Sequence, residues 1–197
     1  MNATTPMIAL GLRIKTGFAI AVVVERAGTR YAALQRQVVP LSTAEVPESQ
    51  QPYHPALELP EKRGQVVTER AVAAVRAVAR REMDDLLKTL PSLQGAALVV
   101  GSVVAPDTIA NPHIRAHALE GKLFREVVAE ALERRGTRAA LLLERDAYDK
   151  AAADLACAAT SLRREVDALG KGTVTPWRAE EKLAALAAYW TLRSKRH

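Results

Sequence analysis

His113 and His117 stand four residues apart in the run Asn111-Pro112-His113-Ile114-Arg115-Ala116-His117-Ala118-Leu119-Glu120. At helical pitch that spacing puts both imidazoles on one face, with Glu120 one turn beyond His117. Two imidazoles and a carboxylate are ligand types of a zinc-class centre, and His54, from a distant Pro-rich segment, can complete a His₃ or His₂Glu set. Such a centre would hold zinc or manganese and would suit a metal-dependent hydrolase or nuclease. The H-x-x-x-H spacing lacks the glutamate of H-E-x-x-H, however. Histidines near a helix start also serve as caps or pack beneath a loop.

A second constellation is basic. Arg13-Ile14-Lys15-Thr16-Gly17 reads as a tight corner between two apolar strands. A guanidinium, an ammonium and a hydroxyl beside a glycine can hold a phosphate or carboxylate by charge-assisted hydrogen bonds. Asn111, His113 and Arg115, at a helix start, offer a further anion site. In a topology that brings the loop after the fourth strand near the end of the first, the two basic clusters face each other across one cleft. The net charge of +6 makes the expected ligand nucleic acid or, next, a nucleotide or phosphorylated small molecule. The same corner, left to solvent, is an ordinary hairpin turn. The acids Glu144, Asp146, Asp149 and Asp154 follow a short strand and suit the positive end of a helix. Trp177 and Trp190 read as packing residues, and Cys157 as a small hydrophobe. No nucleophile elbow, Walker loop or dinucleotide fingerprint is present.

The elements that must position these groups are legible in the patterning. Ile8–Arg13 and Phe18–Glu25 are apolar on both faces, as strands buried between two layers are. Arg26-Ala27-Gly28-Thr29 is a hairpin turn, and Tyr31–Val39, carrying Gln35 and Gln37, suits a sheet edge. Residues 40–64 form a long Pro-rich loop that packs back on the domain, since five prolines there exclude a long helix or central strand. The spacing predicts an amphipathic helix over Gln65–Leu90, a buried strand over Ala96–Val104, a helix from about His113 to Arg135 closed by Gly136, and a short strand over Arg138–Leu143. Ala151–Leu169 reads as one Ala-rich helix, ending at Gly170-Lys171-Gly172. Thr175-Pro176 reads as N-cap and first residue of a last helix, with Glu180 and Glu181 near its positive end.

Composition bounds the classes. A chain of 197 residues with 49% hydrophobic residues supports a proper core, and the pattern fits one domain over 1–197 with a loose tail at 1–6 and a basic tail at 193–197. One cysteine excludes an intrachain disulfide framework and, with no basic n-region in MNATTPM, favours a reducing cytoplasm. No apolar run approaches the ~18 residues of a membrane span, so no membrane partner is expected. A net charge of +6 is compatible with an anionic partner.

Three hairpin-connected strands followed by alternating helices and strands, with Leu10-Gly11-Leu12-Arg13 leading through Thr16-Gly17 to the second strand, resemble the ribonuclease H-like superfamily. Holliday-junction resolvases and sugar-kinase-type domains share that plan. The resemblance implies an α/β fold: a five-stranded mixed sheet in order 3-2-1-4-5, with strands 4 and 5 parallel to strand 1 and helices on both faces. It also implies a first-strand aspartate that holds a divalent metal with other acids, and in the sugar-kinase relatives a first turn that handles phosphates. The chain departs from this pattern at Arg13, which stands in the aspartate's place, and at Gly101-Ser102, where the fourth strand often carries a glutamate. Arginine cannot ligate Mg²⁺. The resulting expectation is a ribonuclease H-like module without its metal acids and without a cofactor, binding an anion through Arg13, Lys15, Thr16, Asn111, His113 and Arg115. A partly desolvated Arg13 needs a partner: an internal acid (Glu144, Asp146 or Glu181) or an external anion. The added charge of Lys15 points to the external one.

Overall fold

In the computed structural model, which describes residues 6–171 and 175–194, five strands form one sheet in the order β3-β2-β1-β4-β5. The strands are β1 (Met7–Lys15), β2 (Phe18–Ala27), β3 (Arg30–Pro40), β4 (Leu93–Val100) and β5 (Ala139–Leu143). β1, β2 and β3 pair antiparallel, whereas β4 runs parallel to β1 and β5 parallel to β4. This is the expected order and direction. The helices are α1 (Glu61–Lys88), α2 (Pro112–Glu133), α3 (Ala147–Asp154), α4 (Ala159–Leu169) and α5 (Ala179–Arg193).

The doubly apolar strands divide their side chains between two cores with a period of two. Ile8, Leu10, Leu12 and Ile14 of β1 face α1 and α2, together with Ala96, Leu98 and Val100 of β4. Ala9 of β1, with Ala97 and Val99 of β4, faces the layer of α3, α4 and α5. Gly11 and Arg13 belong to that second face by the same alternation. A Cβ at Gly11 would lie 1.8 Å from the carbonyl oxygen of Ala184, so α5 rests directly on the β1 backbone. The small residues Ala184, Ala185, Ala187 and Ala188 make that close approach possible.

Several boundaries differ from the sequence expectation. β1 runs on through Arg13, Ile14 and Lys15, paired with Ile20, Ala19 and Phe18, so only Thr16-Gly17 form the turn, and four further differences have a visible cause. α1 begins at Glu61 rather than Gln65 and takes in Gly64. Glycine reads as a breaker, but here its missing side chain admits the backbone of Ala56, which a Cβ would meet at 3.2 Å. β4 ends at Val100 rather than Val104, because pairing with β1 stops at Arg13–Val99 and with β5 at Val100–Leu143, and the following residues are exposed. The Ala-rich segment is broken into α3 and α4 by Ala156, a non-glycine residue at φ 51°. Cys157 lies in that break, half-buried, rather than inside a helix. The last helix is capped at Arg178, not Thr175: the Arg178 backbone N–H donates to Glu181 Oε2 at 3.0 Å, which closes the first turn from inside the helix. Residues 1–5 of the expected N-terminal tail, Gly172 at the close of α4 and residues 195–197 of the basic tail lie outside the described residues.

The Pro-rich segment packs back on the molecule through two short 3₁₀ turns, Pro47–Gln50 and Pro55–Leu57, with Tyr53 against the α1/α2 core. β3, bearing Gln35 and Gln37, is an edge strand as expected.

Candidate functional site at the ends of the central strands

β1, β4 and β5 point the same way, so their C-terminal ends gather on one side of the sheet. In open α/β sheets that is where ligands collect. Arg13, near the end of β1, is 3% exposed and held from several sides. Its Nε donates to Glu180 Oε2 at 2.9 Å, its Nη1 to the carbonyls of Ile14 at 2.9 Å and Val99 at 3.4 Å, and its Nη2 to Glu144 Oε2. Lys15 Nζ donates to the other Glu180 oxygen at 3.0 Å. Glu144 follows β5, and Glu180 lies in the first turn of α5, placed over Arg13 by the close seating of that helix on Gly11.

This geometry corrects the expectation that Arg13 faces an external anion. Its charge is matched internally by two carboxylates, and Lys15 shares one of them. Of the three acids the sequence suggested as internal partners, Glu144 is used. Asp146 instead lies 3.9 Å from Arg145, and Glu181 binds Arg36. The second partner, Glu180, is visible in the sequence only as an acid at a helix start; that its helix crosses β1 is a tertiary fact.

Arg36 of β3 reaches the buried Glu181, its Nη2 and Nε lying 2.7 and 3.1 Å from Oε1. Burial alone would push the Glu181 carboxyl up. The Arg36 hydrogen bonds and charge, with backbone N–H donors at the helix start, outweigh it and hold the group below its ordinary value. Both acids of the α5 first turn are therefore tied to cations of the sheet.

Beside Arg13 lies a cleft of about 270 Å³ lined by Lys15, Thr16, Gly101, Ser102 and, from α2, His117 and Gly121. The corner does face α2 across one cleft, as expected, but through His117 rather than through Asn111, His113 and Arg115. Asn111 is the α2 N-cap, its side-chain oxygen accepting from Ile114 N–H at 3.1 Å. Arg115 turns back on its own loop, donating to the carbonyls of Ile109 at 2.8 Å and Ala110 at 3.3 Å. Their local bonds explain why neither reaches the cleft.

The residues of the metal alternative do come together. Ligand atoms of His54, His113 and His117 all lie within 4.8 Å of one another. The three rings stack edge-on or tilted at centroid distances of 4.3 to 4.8 Å. Glu120, 1% exposed, lies beneath them with Oε1 2.7 Å from His54 Nδ1 and Oε2 3.6 Å from His117 Nδ1.

No protein-family model matches the chain, and no curated protein matches it in sequence. Solved structures do match in shape. Thermus thermophilus RuvC in complex with a Holliday junction substrate superposes with TM-score 0.54 at 11% identity, covering 93% of this chain and 91% of RuvC. A further T. thermophilus RuvC structure gives 0.51 at 14%, covering 95% and 96%. The yeast mitochondrial Holliday junction resolvase Ydc2 gives 0.53 at 10%, covering 94% of this chain and 77% of Ydc2. The divalent metal that this fold implies at the end of β1 does not fit the residues present. Arg13 brings a guanidinium among the acids, and Glu144 and Glu180 accept from it through the oxygens that a hard cation would need. The chain has the ribonuclease H-like fold of the RuvC-type resolvases, with an arginine–glutamate cluster at the end of its first strand.

Proposed function

We propose that this protein is a non-catalytic ribonuclease H-like module that binds nucleic acid. The observation that carries the reading is the Arg13–Glu144–Glu180 cluster, in which a fixed internal cation takes up the carboxylates that metal-dependent strand cleavage would require. The resolvases that share the architecture, one of them in complex with a Holliday junction, make nucleic acid the favoured partner class. A small phosphorylated ligand in the Arg13–Lys15 corner is disfavoured, because both cations already have carboxylate partners. Other cations are free of such pairing: Lys62, Arg63, Arg70 and Arg80 of α1 are exposed and enter no ion pair among the described residues. They lie within about 100° of arc on one helix.

The test is gel retardation of duplex and four-way-junction DNA over a salt series, with Mg²⁺ or Mn²⁺ present in parallel lanes. The expected result is binding whose affinity falls steeply and linearly in log–log salt, with the strands intact. Replacing Arg63, Arg70 and Arg80 by Gln should weaken binding and lower the salt slope by up to about 3. Metal-dependent cleavage, or no retardation at low salt, would overturn the proposal.

A further inference from the structure

We propose that His54, His113 and His117 form a binding site for one zinc-class divalent ion, with Glu120 as the carboxylate that orients it. The inference is independent of the nucleic-acid reading and uses different residues.

His54 is the most constrained of the three. Its Nδ1 is engaged by Glu120 Oε1 at 2.7 Å, which makes that nitrogen the protonated one and leaves the lone pair on Nε2. His54 Nε2 is buried and has no hydrogen-bond partner, and neither has Glu120 Oε2. A buried acceptor without a donor is costly, so two in one cluster call for a ligand. An imidazole whose far nitrogen is held by a carboxylate is the usual orientation of a metal-bound histidine, since the carboxylate sets the tautomer and makes the ligand more basic.

His113 and His117 come from the first turns of α2 and His54 from the Pro-rich segment, so the ligands join two parts of the chain far apart in sequence. Tetrahedral Zn–N bonds of 2.0–2.1 Å require ligand nitrogens about 3.3 Å apart. The ligand atoms now lie within 4.8 Å of one another, and the two rings that must turn to close the gap, His113 and His117, are exposed. The position of His54 is set independently of any ion. The Tyr53 backbone N–H lies 3.4 Å from Glu120 Oε1, and Ala56 packs on the α1 backbone at Gly64. Three imidazoles select zinc, cobalt or nickel over magnesium or calcium, which prefer oxygen. The fourth position falls to water, because His113 and His117 are exposed, and His117 also lines the cleft.

The experiment uses the full chain without a histidine tag. Metal-stripped protein is titrated with Zn²⁺ by calorimetry, then loaded with Co²⁺ for visible absorption. Expected are one ion per chain, the intense bands of low-coordinate cobalt, a raised Tm, and no response to Mg²⁺. His113→Ala and His117→Ala should each abolish stoichiometric binding while leaving circular dichroism unchanged. Glu120→Gln should weaken binding by about 10–100-fold. Should the buried Glu120 variant fail to fold, the two exposed histidine variants still decide the matter. Absence of saturable one-to-one binding, or binding unchanged in His113→Ala, would overturn the site.

Discussion

Arg13 is a charge that the fold has made structural. Its guanidinium is buried, but Glu144 and Glu180 are partly open to water, so the pairs stand between the surface and the buried case. Breaking a fully buried pair costs about 3–5 kcal/mol; water reaching the two acids lowers the expected loss for Arg13→Ala to roughly 2–4 kcal/mol. Urea denaturation measures it. Arg13→Lys should recover only part, because a single ammonium cannot serve Glu144, Glu180 and two carbonyls in their present directions. An Arg13→Ala protein as stable as the parent would mean that the cluster contributes nothing to the fold. That Arg13 needs a partner could be argued from its place on an apolar strand. Which partner could not, because Glu180 is 167 residues away and arrives only through helix packing.

At the scale of elements, α5 and β1 form the decisive pair. Helices usually keep 8–10 Å from what they pack on, and closer approach requires that side chains be absent. Gly11 supplies that absence on the strand and the alanines supply it on the helix. Gly11→Ala places a methyl group 1.8 Å from a backbone oxygen, a contact that no rotamer can relieve. The helix must lift, which strains the core and pulls Glu180 away from Arg13 and Lys15. The expected loss is at least the about 1–3 kcal/mol of ordinary overpacking, together with a lowered Tm. A neutral Gly11→Ala would show that α5 can slide freely. The motif Leu10-Gly11-Leu12-Arg13 makes this glycine legible as part of a hairpin, not as the seat of a helix. The break between α3 and α4 gave no comparable signal, since Ala153 and Ala156 are both good helix formers.

For the whole molecule, pH is the readout that sums these ties. Glu181 is held below its unfolded value of 4.5, so its contribution is complete above that pH and is lost as pH falls through the lower folded value. Urea midpoints should therefore drop on the acid side of about pH 4.5, and Glu181→Gln should make that limb shallower. The alkaline limb has the opposite sign. Burial pushes Tyr148 up to about 12 against the opposing charge of Arg163. Burial, then the hydrogen bond to Glu165, pushes Tyr189 up to about 12 as well. Stability from both phenols is complete below pH 10 and is lost as pH rises towards 12. Ultraviolet titration should find these two among the last tyrosines to ionise. A phenolate transition centred near 10 for all four would contradict their burial.

The sequence by itself determined the layers and the order. Strands apolar on both faces require cover on both sides, and three hairpin-linked strands followed by helix–strand units leave few other topologies. It also determined which residues could do chemistry, because His113, His117 and Glu120 share a helix face by pitch alone. The tertiary structure decided what those residues meet. His54 reaches the pair on α2 only because two short turns return the Pro-rich segment to the α1/α2 layer. Arg13 becomes an internal cation only because α5 lies flat on Gly11 and brings Glu180 with it. Periodicity is a local property, carried by dihedral geometry over a few residues. The meeting of groups from distant segments depends on how close two surfaces can come, and that is set by the side chains of both at once.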